Sequence, residues 1–225
     1  MYIIALFLSF SVFLLLLTEY QNNRRRFKTS SIIQTAPAIA KMIASSLFVA
    51  YFYCFSPKLD LFGQSILLAL VFSWLGDLLL IPKSKNQYFL LGIAAFALAH
   101  IAFSFAFLQL AISPLLLISS VMLSLIIGTF VYLWLKPHLH KQYKIMVPAY
   151  LLIIIVMLII GISSGGSNQY YWIVAGSLLF AVSDLFVARN RFIQPAFINR
   201  LIGLPMYYLA QMMLGYGAIN IITMR

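Results

Sequence analysis

The chain has few acidic residues and almost no cysteine. Its 225 residues include 4 Asp or Glu and a single Cys, Cys54, and charged residues of both signs make up 8%. A lone cysteine excludes an intrachain disulfide and a thiolate metal site. Hydrophobic residues reach 64% and the mean hydropathy is +1.01, which is more apolar surface than a soluble core of this length can bury. The composition therefore excludes an ordinary soluble domain and predicts a polytopic membrane protein.

Apolar segments long enough to span a bilayer recur along the chain. We predict eight transmembrane helices, at residues 2–19, 32–53, 61–81, 88–109, 112–135, 145–162, 170–188 and 202–222. The connections are short and none is rich in proline or serine, so the predicted fold class is all-α with one domain over residues 1–225. The first segment lacks a preceding basic region and a small-residue cleavage site, so we expect a spanning helix rather than a cleaved signal.

Two features concern the ends of these helices. The SSGGS segment, Ser163–Ser167, is rich in turn-forming residues and predicts a turn between the sixth and seventh helices. The prolines Pro37, Pro82, Pro114, Pro148 and Pro205 are predicted to lie near helix ends. This placement differs from the midplane helix breaks that are typical of secondary transporters.

Basic residues are concentrated after every second predicted helix. They are Arg24, Arg25, Arg26, Lys28, Lys83, Lys85, Lys136, Lys141, Lys144, Arg189, Arg191 and Arg200. The positive-inside rule makes these connections cytoplasmic and both termini external, and we expect a bacterial inner membrane as the location. The net charge of +11 then reflects topology and attraction to anionic headgroups. Because the charges are spread over four short loops, no nucleic-acid partner is predicted.

Two of the four acidic residues lie inside apolar segments, Asp77 in FSWLGDLLLIP and Asp184 in LLFAVSDLFVARN. A carboxylate in a membrane costs roughly 2.5 to 3.5 kcal/mol on insertion scales, so it usually faces the protein interior and has a function. Each lies about four residues, or roughly 6 Å, inside the predicted cytoplasmic end of its helix. We expect both carboxyl groups in one pocket that opens to the cytoplasmic leaflet, roughly 4 to 8 Å apart by analogy with two-carboxylate hydrolases.

Other polar residues are predicted to converge with the aspartates. They are Lys41, His100, Tyr207, Tyr208 and Gln211 within the helices, and Lys83, Lys85, Arg189 and Arg191 at the rim. Tyr207 and Tyr208 lie at about the same depth and Gln211 one turn deeper, whereas Lys41 lies about nine residues into its helix and His100 near the midplane. For either aspartate, interhelical pairing with Lys41 or His100 is the structural alternative to catalysis. His138 and His140 lie in a charged loop, where solvated histidines are more common than metal ligands.

A weak internal repeat connects the two aspartate segments. GDLLL at Asp77 is similar to SDLFV at Asp184, and a glycine eight residues before His100 has a counterpart eight residues before Gln211. Four predicted helices separate the aspartates, and an even number preserves orientation. The repeat would therefore correspond to two parallel four-helix halves.

The sequence resembles the YhhN-like lysoplasmalogenases over essentially its whole length. The resemblance rests on Gly76, Asp77, Phe89, Gly92, Phe96, His100, Gly176, Phe180, Ser183, Asp184, Tyr208, Ala210 and Gln211. Two positions depart from the family pattern: Phe103 replaces an expected tyrosine, and Lys41 is not followed by proline. The resemblance implies hydrolysis of the vinyl ether of a lysoplasmalogen to a fatty aldehyde and a glycerophosphoethanolamine or glycerophosphocholine.

This chemistry suits a pair of carboxyl groups. One must protonate the vinyl β-carbon, and the other must stabilise the resulting oxocarbenium ion and orient water; burial and a neighbouring carboxylate favour such a division. The sequence leaves either aspartate as the acid, with a preference for Asp77 because it is flanked by Trp74 and leucines. No metal or other cofactor is required. The candidate substrate-binding residues are Lys41, His100, Ser183, Tyr207, Tyr208, Gln211, Arg189 and Arg191, with Lys83 and Lys85 as further phosphate ligands.

Two other functional classes also place charged residues in membranes. A proton-coupled transporter of small molecules or lipids is the main alternative to a hydrolase with a lysophospholipid substrate. An intramembrane aspartyl protease is disfavoured, because the segment WLGD ending at Asp77 has only one glycine of the Gly-x-Gly-Asp signature. The oligomeric state, headgroup and chain-length preference are left open.

Overall fold

The structure is a computed structural model that describes residues 12–20, 31–82, 86–167 and 170–225, with the side chains of 31–35 and 167 excepted. Residues 12–20 are helical (α1). The later helices are α2 (Ser31–Phe55), α3 (Leu61–Leu79), α4 (Asn86–Phe107), α5 (Pro114–Leu135), α6 (Met146–Ser167), α7 (Tyr171–Ala188) and α8 (Phe197–Met224). Short 3-10 turns at Lys136–His138 and Lys141–Tyr143 join α5 to α6, and a π-helical turn, Arg189–Ile193, follows α7. The described part of the chain contains no strand, so the all-α prediction is confirmed there.

Six helical segments are long and apolar enough to cross a membrane. They are Ala36–Phe55, Leu61–Leu79, Asn86–Phe107, Pro114–His138, Lys141–Gly166 and Tyr171–Ile193. Large apolar side chains on α5 point outward, with Leu115 76% and Phe130 73% exposed, as expected for a surface solvated by lipid. The chain is an integral membrane protein. Eight crossings stay a prediction: residues 1–11 lie outside the described residues, and α8 contains polar residues such as Arg200 and Gln211.

Local sequence explains where α3 and α5 begin. Asp60 precedes α3, and its Oδ1 accepts a hydrogen bond from the backbone N–H of Gly63 at 2.9 Å. Ser113 precedes α5 and its hydroxyl accepts from the N–H of Leu116, while Pro114 occupies the first helical position. Capping side chains and an N-terminal proline satisfy or remove the unpaired N–H groups of a first turn.

The predicted turn at Ser163–Ser167 is wrong, because α6 continues to the end of that segment. The hydroxyls of Ser163 and Ser164 donate to carbonyl oxygens one turn earlier in the helix. A Cβ on Gly165 would lie 2.8 Å from Cγ2 of Val174 on α7. The small residues therefore permit close helix packing, which outweighs their turn propensity.

The seventh and eighth predicted helices also differ from the structure where one is connected to the next. Helical structure continues beyond residue 188 through the π-helical turn, and α8 begins at Phe197 rather than at residue 202. Arg200 consequently lies in a helix instead of a loop. Pro205 and Pro37 lie inside α8 and α2, yet both helices are continuous across their prolines.

The two aspartate-bearing helices pack closely against the helices that follow them, α3 against α4 and α7 against α8. A Cβ on Gly76 would lie 2.6 Å from the ring of Phe96, and a Cβ on Gly176 would lie 2.7 Å from Cγ of Leu214. Glycine is needed at both positions because these side chains occupy the space of a Cβ. The similar pairing is compatible with two related halves, and the internal duplication itself stays a prediction.

Candidate functional site

A cavity of about 160 Å³ lies in the half of the bundle whose connections contain the basic residues. Its walls come from the ends of α3, α5 and α7, the first three turns of α4, α6 and α8, the π-helical turn after α7, and one residue of α2. Most lining side chains are apolar. The polar ones are Lys41, Asp77, Tyr150, Ser183, Asp184, Asn190, Asn199, Arg200 and Tyr207. Both aspartates therefore line one cavity near the ends of their helices.

Asp77 is 2% exposed and is surrounded by donors. Lys41 Nζ lies 3.0 Å from Oδ1 and also donates to the main-chain oxygen of Asp77 at 3.2 Å. Oδ2 accepts from the hydroxyls of Ser45 at 2.6 Å and Tyr207 at 2.8 Å. A cation and two hydroxyl donors all favour the ionised carboxylate. Removing Lys41 would leave a buried charge without its counterion, which typically costs about 3 to 5 kcal/mol.

Asp184 has different partners. Its Oδ2 accepts a hydrogen bond from the Tyr150 hydroxyl at 2.8 Å and lies 3.4 Å from His100 Nε2. Its side chain is 11% exposed, and His100 is fully buried. Neither Lys nor Arg contacts this carboxyl group in the described residues. A neighbouring imidazole, unlike a lysine, can exchange a proton with a carboxyl group in either direction.

The hydrogen bonds of His100 determine where its protons lie. Nδ1 is 2.6 Å from the main-chain oxygen of Phe96, and a carbonyl oxygen can only accept, so Nδ1 carries a hydrogen. In the neutral ring Nε2 would then present a lone pair to Oδ2 of Asp184. Two acceptors facing each other in a buried site repel, so this 3.4 Å contact is favourable when one proton lies on either His100 Nε2 or Asp184. Such a pair can hold one proton beside the cavity.

Aromatic rings occupy the space between the two carboxyl sites. The Phe180 ring lies 4.4 Å from that of His100 and 5.5 Å from that of Tyr207, measured between centroids. Phe96 packs edge-to-face against both Phe180 and Tyr207. These buried rings limit the water that can solvate either carboxyl group, which strengthens the local electrostatic interactions.

The partners of the two aspartates follow a crossed pattern. Each aspartate is contacted from the helix that precedes its own, by Lys41 of α2 for Asp77 and by Tyr150 of α6 for Asp184. Each is also contacted from a helix of the other predicted half, by Tyr207 of α8 and by His100 of α4, respectively. Four helices beyond the two that carry the carboxyl groups thus hold the site together.

Three of the predicted substrate-binding residues play supporting roles. The Ser183 hydroxyl lines the cavity but donates to the main-chain oxygen of Phe180 at 2.7 Å. Tyr208 lies behind the cavity wall, with its hydroxyl 3.3 Å from that of Ser45. Gln211 is also outside the cavity lining and donates to the hydroxyl of Ser73 at 3.1 Å.

The predicted rim arginines, Arg189 and Arg191, do not line the cavity. Arg189 donates to Oδ1 of Asn199 at 2.7 Å. Arg191 donates to Oδ1 of Asn86 at 2.6 Å, with its guanidinium 4.2 Å from the centroid of the Phe89 ring. It lines a separate polar pocket with His138 and His140, among others. Lys83 and Lys85 lie outside the described residues.

Ser45, Tyr150 and Arg200 are site residues that sequence reasoning missed. With 13 tyrosines in the chain, no spacing distinguishes Tyr150 from those at membrane interfaces. Ser45 lies four residues after Lys41, on the same face of α2, and this spacing is the one available signal. No group of three His, Cys, Asp or Glu that could hold a metal occurs in the described residues.

Fold and site together define a polytopic α-helical membrane protein with a buried, two-carboxylate cavity at one end. Residues 36–218 match the YhhN family, and the chain belongs to that family. It is 32% identical over 161 residues to the protein named lysoplasmalogenase TMEM86A of Bos taurus, and 31% identical to the Homo sapiens protein of the same name. Each alignment covers 69% of this chain, which spans 65% of the length of these relatives. No solved structure matches the chain.

Proposed function

We propose that this protein hydrolyses the vinyl ether bond of lysoplasmalogens, releasing a fatty aldehyde and a glycerophosphoethanolamine or glycerophosphocholine. The observation that carries the proposal is an apolar cavity lined by two carboxyl groups that have different hydrogen-bond and charge partners. Family membership and the names of the bovine and human relatives support the same reaction.

In this mechanism the pair of Asp184 and His100 supplies the acid. Its stored proton is transferred to the β-carbon of the vinyl ether, and the double-bond electrons form the new C–H bond. The adjacent carbon becomes an oxocarbenium ion. Asp77 was the preferred acid on sequence grounds, but its contacts with Lys41, Ser45 and Tyr207 favour an ionised carboxylate instead. We therefore assign the acid role to Asp184.

Asp77 then acts on the second half of the reaction. Its negative charge stabilises the oxocarbenium ion, and it orients a water molecule that adds to the cationic carbon. The proton lost by this water passes through Asp77 and restores the Asp184–His100 pair. The hemiacetal collapses by moving its hydroxyl proton to the glycerol oxygen, which leaves as an alcohol while the aldehyde forms. No proton is gained or lost overall, and one water is consumed.

The substrate is a membrane lipid, so the orientation of the cavity matters. We propose eight crossings with both termini external, which places the cavity in the leaflet that faces the basic connections, in a bacterial inner membrane. A volume of about 160 Å³ is below the 300 Å³ or more of pockets that enclose a drug-sized ligand. It fits the vinyl ether and glycerol, and the rest of the chain lies between apolar helix surfaces.

The decisive experiment follows the products made by the purified protein from a lysoplasmalogen in detergent micelles. In D₂O the aldehyde should gain one deuterium next to its carbonyl, because carbon protonation creates that C–H bond. In H₂¹⁸O the glycerophospho product should gain no ¹⁸O, because its oxygen stays with the glycerol. Absence of aldehyde, or ¹⁸O in the glycerophospho product, would reject the mechanism.

A proton-coupled transporter would also contain buried Asp, Lys and His. Such transporters typically have discontinuous helices at the midplane, whereas α2 and α8 are continuous across Pro37 and Pro205. Proton-driven uptake of a solute or lipid into liposomes, with no aldehyde formed from lysoplasmalogen, would favour that alternative.

A further inference from the structure

Arg200 has a buried hydrogen-bond donor without a partner at the edge of the catalytic cavity. The side chain lines the cavity, and its Nε is buried and makes no hydrogen bond. A buried donor left unpaired is costly, and a guanidinium donor more so, which makes it a candidate ligand contact. From the sequence, Arg200 was predicted only as a basic residue of a cytoplasmic loop.

A neighbouring ion pair fixes the orientation of this guanidinium. Nη1 of Arg200 donates to Oε2 of Glu19 at 2.6 Å, and Glu19 is itself 7% exposed. With Nη1 engaged, the edge formed by Nε and Nη2 is the one that can present two parallel N–H groups. This edge matches two oxygens of a phosphate group.

Asn190 offers a second donor to the same cavity. Its Oδ1 accepts from the backbone N–H of Ala196 at 3.1 Å and from Nδ2 of Asn199 at 3.4 Å. A backbone N–H can only donate, so the acceptor atom of the Asn190 amide is identified and its NH₂ group is the donor. Asn190 lies in the π-helical turn, and such turns are frequent at functional sites.

The other basic residues are less suitable. Of the described Lys and Arg residues, only Lys41 and Arg200 line the cavity. Both contacts of the Lys41 ammonium group are with Asp77. Arg189 and Arg191 do not line the cavity, and each donates to an asparagine, Asn199 and Asn86 respectively.

The spacing also fits a lysophospholipid. Arg200 and Tyr207 are two turns apart on α8, which is roughly 10 Å along the helix, and the Tyr207 hydroxyl touches Asp77. In a lysoplasmalogen seven bonds separate the phosphorus from the vinyl β-carbon, about 8 Å when extended at ordinary bond lengths. A phosphate held at Arg200 would therefore leave the vinyl ether close to the carboxyl groups.

We propose that Arg200, assisted by Asn190, is the phosphate-binding site for the lysophospholipid headgroup, in place of the rim residues Arg189 and Arg191. The inference rests on the proposed function for its substrate class. A bidentate phosphate contact would anchor the lipid so that only the glycerol and the start of the chain reach the carboxyl groups.

Binding of two non-cleavable ethers tests the site without requiring catalysis. The probes are 1-O-hexadecyl-glycerophosphoethanolamine and 1-O-hexadecylglycerol, which lacks the phosphate, titrated by calorimetry in the same detergent. The wild type should bind the phosphate-bearing probe about 10- to 100-fold more tightly, as expected for charge-assisted hydrogen bonds. Arg200→Gln should remove this preference and leave binding of the glycerol probe within about twofold.

A control variant separates recognition from folding. Arg191→Gln removes a nearby charge that does not line the cavity and should retain the wild-type preference. Equal binding of the two probes by the wild type, or weaker binding of both probes by Arg200→Gln, would overturn the proposal. So would inorganic phosphate that displaces the phosphate-bearing probe equally from the wild type and from Arg200→Gln, since that indicates an anion site elsewhere.

The proposed phosphate site and the proposed hydrolysis can fail independently of each other. Phosphate-selective binding that depends on Arg200, together with no aldehyde from a lysoplasmalogen, would retain the headgroup site and reject the hydrolase. Aldehyde release with unchanged kcat/KM in Arg200→Gln would support the hydrolase and reject the headgroup site.

Discussion

Replacing Asp184 with Asn should abolish turnover and leave the fold intact. Both neighbours of Oδ2 can accept a hydrogen bond from an amide NH₂ group: the Tyr150 hydroxyl at 2.8 Å and the bare Nε2 of His100 at 3.4 Å. The hydroxyl hydrogen of Tyr150 then loses its acceptor, so the free energy of unfolding should fall by about 1 to 3 kcal/mol while the protein stays folded. The amide cannot transfer the proton, and loss of a general acid typically lowers the rate by about 100- to 10,000-fold.

The assay is the initial rate of aldehyde release from a lysoplasmalogen by the purified variant in detergent, with thermal unfolding measured on the same sample. Ser183→Ala is the matched control, because it removes the adjacent hydroxyl, which bonds only the main-chain oxygen of Phe180. Its rate should stay within about threefold of wild type, as expected for loss of one neutral hydrogen bond.

Two results would refute this reasoning. Near wild-type activity in Asp184→Asn would make that carboxyl group structural. A loss of activity that matches the fraction of unfolded protein would mean that the carboxylate is needed for the fold instead of for the chemistry.

Three more predictions concern the other half of the site and the substrate. Asp77→Asn should lower the rate of aldehyde release more than about 100-fold; a rate near that of wild type would remove Asp77 from the mechanism. Lys41→Met should lower the free energy of unfolding by about 3 kcal/mol, and adding Asp77→Asn should recover part of that loss because the unpaired charge is gone; equal stability of single and double variants would contradict the ion pair. Lysoplasmalogen should be cleaved in strong preference to the two-chain plasmalogen in matched micelles, because a cavity of about 160 Å³ that holds the vinyl ether and glycerol has no room for the ester group that attaches a second chain; comparable aldehyde release from both lipids would indicate an open groove.

Hydropathy and charge were sufficient to predict most helices. The predicted segments 61–81 and 170–188 correspond to Leu61–Leu79 and Tyr171–Ala188, because membrane-spanning length and apolar composition are properties of the local sequence. The errors occurred where tertiary packing competes with local propensity. Small residues in Ser163–Ser167 suit a turn as well as a close helix contact, and the packing against α7 favours the helix.

The two aspartates could be identified from sequence because a carboxylate in an apolar segment is costly and needs a reason to be there. Their partners could not be predicted. Lys41 and Tyr207 lie 36 and 130 residues from Asp77 along the chain, and hydropathy does not reveal which helix faces meet. For the same reason the sequence predicted phosphate binding at Arg189 and Arg191, which do not line the cavity.

The sequence by itself determined that this is an all-helical membrane protein with two carboxyl groups at one end of the bundle, because segment composition and the cost of buried charge are independent of the fold. Tertiary structure decided which partners each carboxyl group has. Asp77 faces a lysine and two hydroxyls, whereas Asp184 faces a histidine and a tyrosine. Proton affinity depends on such contacts, which form only when α2, α4, α6 and α8 pack around α3 and α7.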